Sequence, residues 1–339
     1  MSVTIRDVAK AAGVSIATVS RALRGHPAIS AKTTEHVVAI ATELQYDFSS
    51  RVNVKNPKPI RVAVVLPFIG RWYFARVVEG IERVLFERGY ETVLLRPRNS
   101  IGQPLSIAEH LDVYGVEGAI LVSLSPDQED FDALIRRDIP TVLIDIAEPR
   151  FTQIRIDNEV VGIQAAQHLL SLNHRKIAVV TGDPNDPLNF STPNDRLRGF
   201  QKACKKAKLE IDPAFLLHAD FTAKSAENVV MNILQREDRP TAIFAASDEM
   251  AFGVINAARK VGLRVPEDLS VVGVDDHELS DSFGLTTVAQ PIDTLAEVAA
   301  WQLMSRMSTT TTTAIELVTL PTSLIDRNST MHLETSHAD

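Results

Sequence analysis

Thr4-Ile-Arg-Asp-Val-Ala-Lys-Ala-Ala-Gly-Val-Ser-Ile-Ala-Thr-Val-Ser-Arg-Ala-Leu23 decides how the N-terminal part of this chain folds. Thr4 suits a helix N-cap, and Ile5, Val8, Ala9 and Ala12 follow at the i, i+3, i+4, i+7 spacing of one buried stripe. Gly13 ends that helix because it tolerates positive φ, and Ser15 at once offers a fresh cap for a helix over 16–23. Ser30 caps a third helix over 31–45, where Val37, Ile40, Ala41 and Leu44 repeat the stripe. Three helices can then close one miniature core with Val14, Val19 and Leu23. Two short helices around a glycine turn are a helix-turn-helix, whose second helix fits the major groove of double-stranded DNA.

The exposed face of that helix carries Ile16, Ala17, Thr18, Ser20 and Arg21. Arg21 has the fork that pairs with guanine, while Ile16 and Ala17 offer only apolar contact, for example to a thymine methyl. Thr18 and Ser20, with the caps Thr4, Ser15 and Ser30, suit phosphates. Charge points the same way. Residues 1–61 hold nine Lys or Arg against four Asp or Glu, a balance of +5, so the remainder carries −13 to reach the formal −8. A basic head on an acidic body attracts phosphate without making the whole surface adhere to nucleic acid.

At 339 residues and 45% hydrophobic composition, the chain has material for two or three units. No stretch approaches the roughly 18 apolar residues of a membrane span, and a helix-turn-helix stands where a signal peptide would. The expectation is a soluble intracellular protein without a membrane partner. The single Cys204 excludes an internal disulfide and reads as a core residue. His168, His174 and His277 lack metal-ligand spacing and read as surface or capping residues, so neither metal nor cofactor is expected. No phosphate loop, dinucleotide fingerprint, nucleophile elbow or zinc-protease motif occurs, and no enzyme is inferred.

From Ile60 onward, β-branched runs at 60–66, 92–95, 118–122 and 140–145 alternate with helical patterns at 74–88, 106–114 and 130–137. A second series places strands at 176–181, 241–245 and 270–274 among helices at 159–172, 195–208, 223–235 and 249–261. Two βα series imply two doubly wound parallel sheets. A helix over 291–306 and late strands at 315–320 and 323–325 follow, with both strands expected to return to the first sheet. The expected organisation is a head over 1–46, a linker over 47–59 and a core over 60–339. Within the core, lobe one takes about 60–155 plus 289–327, lobe two about 156–288, and 328–339 forms a flexible tail.

Ligands in such sheets sit outside the carboxyl ends of the strands, and two lobes make a hinged cleft. The residues expected there are those of 68–74 after the first strand, with Phe68, Trp72, Tyr73 and Phe74 foremost, Asp145 after the fourth, and Asp157. The second lobe adds the long loop 182–196, Phe221, Ser247 with Asp248, and Asp275 with Asp276. Rings give apolar platforms and carboxylates accept hydroxyl hydrogen bonds, which suits a small polyhydroxylated effector.

The run Ile5-Arg-Asp-Val-Ala-Lys-Ala-Ala-Gly-Val-Ser15, with Thr18-Val-Ser-Arg21, Ser30-Ala-Lys-Thr33 and Leu44-Gln-Tyr46, closely resembles the DNA-binding head of the lactose-repressor (LacI/GalR) family. Ser247-Asp-Glu-Met-Ala-Phe-Gly253, Asp268-Leu-Ser-Val-Val-Gly-Val-Asp275 and Leu285-Thr-Thr-Val-Ala-Gln-Pro291 extend the resemblance to the ligand-binding core. It implies a helix-turn-helix head joined to an α/β, two-lobed periplasmic-binding-protein-like core with doubly wound parallel sheets. It also implies a repressor, acting on a near-palindromic operator and switched by a sugar, sugar derivative or nucleoside. By resemblance Arg196 and Asp275 contact effector, and Tyr73, Phe74, Asp145, Phe221 and Ser247 match other wall positions. Family tetramers carry a terminal leucine heptad, whereas 328–339 is polar with a single Leu333, so a homodimer is expected. A solute-binding protein of a transporter shares the two-lobed plan, but the attached head argues against it.

The linker departs from the family. Its hinge helix ordinarily places an Ala and then a minor-groove Leu where this chain has Val52 and Lys55. Pro57 and Pro59 confine any helix there to about two turns. Arg51 and Lys55 read as phosphate contacts, and Val54, one residue early, as a smaller wedge.

Overall fold

The computed structural model describes residues 3–22, 29–44, 46, 60–96, 107–183, 191–308 and 314–334. Residues up to Pro59 and residues from Ile60 onward form two separate compact units. In the first, α1 (Ile5–Ala12), α2 (Ile16–Ala22) and α3 (Ala31–Glu43) are the three helices of the head. The Asp7 carboxylate accepts from the Thr4 amide and hydroxyl at 2.8 and 2.6 Å, which starts α1 and holds Asp7 below the usual carboxylate range. Gly13, at φ +68°, ends it. Ser15 Oγ accepts from Thr18 N at 3.0 Å and Ser30 Oγ from Thr33 N at 3.2 Å, so each helix begins on its expected cap. Val8, Ala9, Ala12, Val19, Val37 and Ala41 are buried together with Tyr46, a core residue that the periodicity did not reveal.

The second unit holds two six-stranded sheets. Lobe one contains β1 (Arg61–Val65), β2 (Glu91–Leu95), β3 (Gly118–Val122), β4 (Thr141–Ile144), β5 (Thr152–Ile156) and, added late, β11 (Leu317–Leu320). Their order is β11-β5-β4-β3-β1-β2, all parallel. Helices α4 (Trp72–Glu87) and α11 (Ile292–Ser308) share one core cluster, while α5 (Ile107–Tyr114) and α6 (Gln128–Arg136) share another. Lobe two contains β6 (Ile177–Gly182), β7 (Leu216–Ala219), β8 (Ala242–Ala245), β9 (Ser270–Asp275), β10 (Thr286–Ala289) and β12 (Ser323–Ile325). Their order is β12-β10-β9-β8-β6-β7, with β12 antiparallel. Its helices are α7 (Asn158–Ser171), α8 (Ser191–Lys206), α9 (Ala223–Leu234) and α10 (Asp248–Lys260).

The chain therefore crosses between lobes after Ile156, after Ala289 and after Leu320. The last crossing corrects the expectation that both late strands return to the first sheet: β11 does, but β12 pairs with β10 in the second. Residues 328–333 are likewise no flexible tail. Ser329 is buried, its carbonyl accepts from Val271 N at 2.8 Å, its hydroxyl accepts from Thr286 N at 2.8 Å, and Leu333 N donates to Leu172 O at 2.9 Å. A polar strand end is held down when a neighbouring strand leaves backbone groups to pair.

One local packing feature positions the cleft. A Cβ on Gly199 would lie 1.9 Å from Glu159 O, and one on Gly162 would lie 2.0 Å from Arg196 O, so α7 and α8 meet backbone to backbone. Only glycines permit that approach, and it fixes Arg196 in the second turn of α8.

Candidate ligand cleft and nucleic-acid-binding face

In the head, the N-terminus of α2 presents Ser15 and Ile16, the latter 46% exposed, while Val19 and Ala22 turn inward. An apolar side chain left in water at the start of such a helix fits contact with a base methyl. The side chains of Ala17, Ser20 and Arg21 lie outside the described residues, as do Arg51, Val54 and Lys55 in the linker.

Between the lobes lies a cavity of about 610 Å³, partly open to solvent. Of the expected residues, Tyr73, Phe74, Asp145, Arg196, Phe221, Ser247 and Asp275 line it. Strand ends deliver them with unusual backbones: Ser123, Asp145, Phe221 and Asp275 have φ of +44°, +53°, +59° and +124°. Strain of this kind gathers where a site over-determines its residues.

Arg196 is almost wholly engaged by lobe two. Its Nε donates to Asn158 Oδ1 at 2.8 Å and its Nη1 to Ala246 O, with Asp275 Oδ1 at 4.0 Å. Asp275 also accepts from Gln290 Nε2. Burial pushes the Asp275 carboxyl up, and the nearby guanidinium only partly offsets that. In lobe one, Tyr73 OH donates to Asp145 Oδ2 at 2.6 Å. Burial raises Asp145 against the pull of Tyr73 and Arg196, and burial with the adjacent carboxylate raises Tyr73. Asp145 Oδ1 is buried and has no hydrogen-bond partner.

Five residues named for the cleft do not line this cavity, and one of them, Asp276, accepts from Arg327 Nη2 at 2.7 Å. Asp248 turns into lobe two, accepting from Thr287 Oγ1, Ser280 Oγ and His277 N at 2.7, 2.7 and 2.8 Å, and burial pushes it up to about 6. It anchors the loop after β9. Asp157 caps α7, accepting from Glu159 N and Val160 N at 3.0 and 3.1 Å. Phe68 lies under the Arg71 guanidinium, 3.6 Å from the ring centre. Trp72 instead stacks across the lobes on His277, ring centres 4.4 Å apart. His277 is thus no surface residue, and neither are His168 and His174; burial lowers all three. Among the described residues no cluster of His, Cys, Asp and Glu could hold a metal.

Arg71, from the segment 68–74 singled out for the cleft, joins the wall with Thr192 and Pro193, and Ser123, Glu249 and Gln290 complete it without having been expected. Ser123 follows β3 and was open to the same strand-end rule that found Asp145. Thr192 and Pro193 lie within the long loop singled out for the cleft.

Comparison with known proteins agrees with this geometry. A model of bacterial regulatory proteins, lacI family, matches residues 4–48, and a periplasmic binding protein-like domain matches 166–330. Catabolite control protein A of Priestia megaterium is 30% identical over 335 residues, 97% of this chain and 100% of that protein. The HTH-type transcriptional repressor PurR of Escherichia coli O139:H28 (strain E24377A / ETEC) is 34% identical over 90% of each chain. The lac repressor dimer bound to operator and the anti-inducer ONPF superposes with a TM-score of 0.74 at 27% identity, covering 98% of this chain and 100% of that one.

Proposed function

Because the chain belongs to the lacI family of bacterial regulatory proteins, whose members are DNA-binding transcriptional regulators and not enzymes, we propose that it is a repressor switched by a small polar ligand. The ligand is a sugar, a sugar derivative or a nucleoside, held between the lobes. The observation that carries this is Asp145 Oδ1, a buried acceptor without a hydrogen-bond partner in a cavity whose wall also carries the rings of Tyr73, Phe74 and Phe221. A ligand hydroxyl supplies the missing donor. The lac repressor structure names an operator and a small molecule bound at once.

Two copies pair and set two heads on neighbouring half-sites, and ligand alters the spacing of the heads through its unequal affinity for two lobe arrangements. Exposed apolar side chains support the pairing: Phe86, Val113 and Tyr114 on lobe one, and Leu279 and Phe283 on lobe two. Such a regulator works in the cytosol beside the chromosome. Among the described residues no helix is long and apolar enough to cross a membrane. The solute-binding alternative has no use for a capped helix-turn-helix.

Selection of sites from random duplexes tests the reading. The full chain enriches a near-palindromic sequence, and Arg21→Ala loses discrimination between that site and random DNA. Enrichment of no site, or discrimination that survives deletion of residues 1–59, contradicts it.

A further inference from the structure

We propose that the cleft takes a ligand of two sugar units, a disaccharide in preference to a monosaccharide, with the second unit in an adjoining cavity; this rests on the effector reading above. The adjoining cavity, about 980 Å³ and open to solvent, shares Ser123, Asp145 and Thr192 with the first. Those three residues form the boundary between the two. Its further walls come from the segments after β3 and β4, including Ser125, Gln128, Ala147 and Glu148.

Asp145 stands at the junction. One of its oxygens is taken by Tyr73, and the other is buried and unpaired while its side chain borders both cavities. A hydroxyl of a ligand straddling that boundary satisfies it, as a ligand confined to either cavity's far end does not. The two cavities also differ in chemistry. The first offers Tyr73, Phe74 and Phe221 as platforms for a ring face. In the second, the one ring among the described lining residues is Phe131, which is 4% exposed and packs against Phe151 in the core. The rest of its lining mixes aliphatic Leu124, Pro126, Ile146 and Ala147 with hydroxyls, an amide and carboxylates, and Glu148 is kept ionised by hydrogen bonds from Arg150. Such a wall binds a hydroxylated unit and gives a nucleobase no surface to stack on.

Calorimetric titration of the full chain tests this, using maltose, cellobiose, trehalose, sucrose and lactose, their component monosaccharides, and adenosine, cytidine and uridine. At least one disaccharide binds about tenfold or more tighter than either of its halves. Ala147→Trp, which fills the second cavity, brings that disaccharide within about threefold of its tighter half and leaves the monosaccharide unchanged. Ser125→Tyr does the same from the segment after β3, so one misfolded variant does not decide the matter. A monosaccharide or nucleoside that binds as tightly as every disaccharide and ignores both fillers overturns the two-unit proposal and leaves the effector reading standing. Binding of no compound from any of the three classes overturns both.

Discussion

Lobe two enters the cleft with its polar groups already engaged, for Arg196 is tied to Asn158, Ala246 and Asp275, and Asp275 to Gln290. Lobe one enters with an acceptor unspent at Asp145. A satisfied network is costly to disturb and rigid, whereas a lone buried acceptor is a standing penalty that a ligand removes. The contrast teaches that lobe two fixes where a ligand sits, and lobe one decides which ligand is worth holding.

The largest test of that contrast lies at the helix crossing beneath Arg196. Gly199→Ala drives a methyl into the Glu159 carbonyl, and with backbone on both sides the expected loss is about 3 kcal/mol, at the top of the overpacking range. Denaturant unfolding of the core measures it; a loss below about 1 kcal/mol breaks the picture of a rigid second lobe. Next in size, Arg196→Leu leaves Asn158 Oδ1 and Ala246 O without their donor in a buried site and costs about 2–3 kcal/mol of stability. Asp145→Ala reverses the pattern. It changes thermal stability little, since removal of the unpaired buried oxygen offsets the Tyr73 hydroxyl left without its acceptor, but it weakens ligand about tenfold or more.

A smaller effect follows from charge. The raised Asp275 carboxyl means that the folded chain binds a proton there at pH values where the unfolded chain has released it. Its contribution to stability is therefore greatest below the unfolded value of about 3.9 and is lost as pH rises through the raised folded value. Asp275→Asn does not titrate, so wild type loses ground to it steadily as pH climbs above about 4. Paired thermal melts across that range check the sign. A wild type that gains on the variant with rising pH shows that Arg196 outweighs burial at this site.

The sequence made this cleft legible in proportion to how apolar its frame is. The strands fully buried by Val, Ile and Leu, such as β3 and β9, were visible as β-branched runs. Three others were not. β5 and β10 carry Thr152, Gln153, Thr286 and Thr287 into the interior, where the threonines meet partners distant in sequence, such as Glu316 N on Thr152 Oγ1 and Thr287 Oγ1 on Asp248. β7 is a four-residue edge strand. Buried polar residues look like loop until their partners are known. The same limit hid the roles of Asp248 and Asp157: an Asp at a strand end reads equally as cleft wall or as anchor, and only the fold shows which groups its oxygens meet. The head was read more fully because caps and stripes are local, so Thr4, Ser15 and Ser30 declared themselves in sequence order.

The most direct test is the affinity of the full chain for its selected operator, followed by fluorescence anisotropy with and without the tightest-binding cleft ligand at saturation. The account predicts a change of about tenfold or more in wild type, in either direction, and none in Asp145→Ala at the same ligand concentration. Operator affinity in wild type that is indifferent to a saturated cleft would contradict the claim that this head is governed by what the lobes hold.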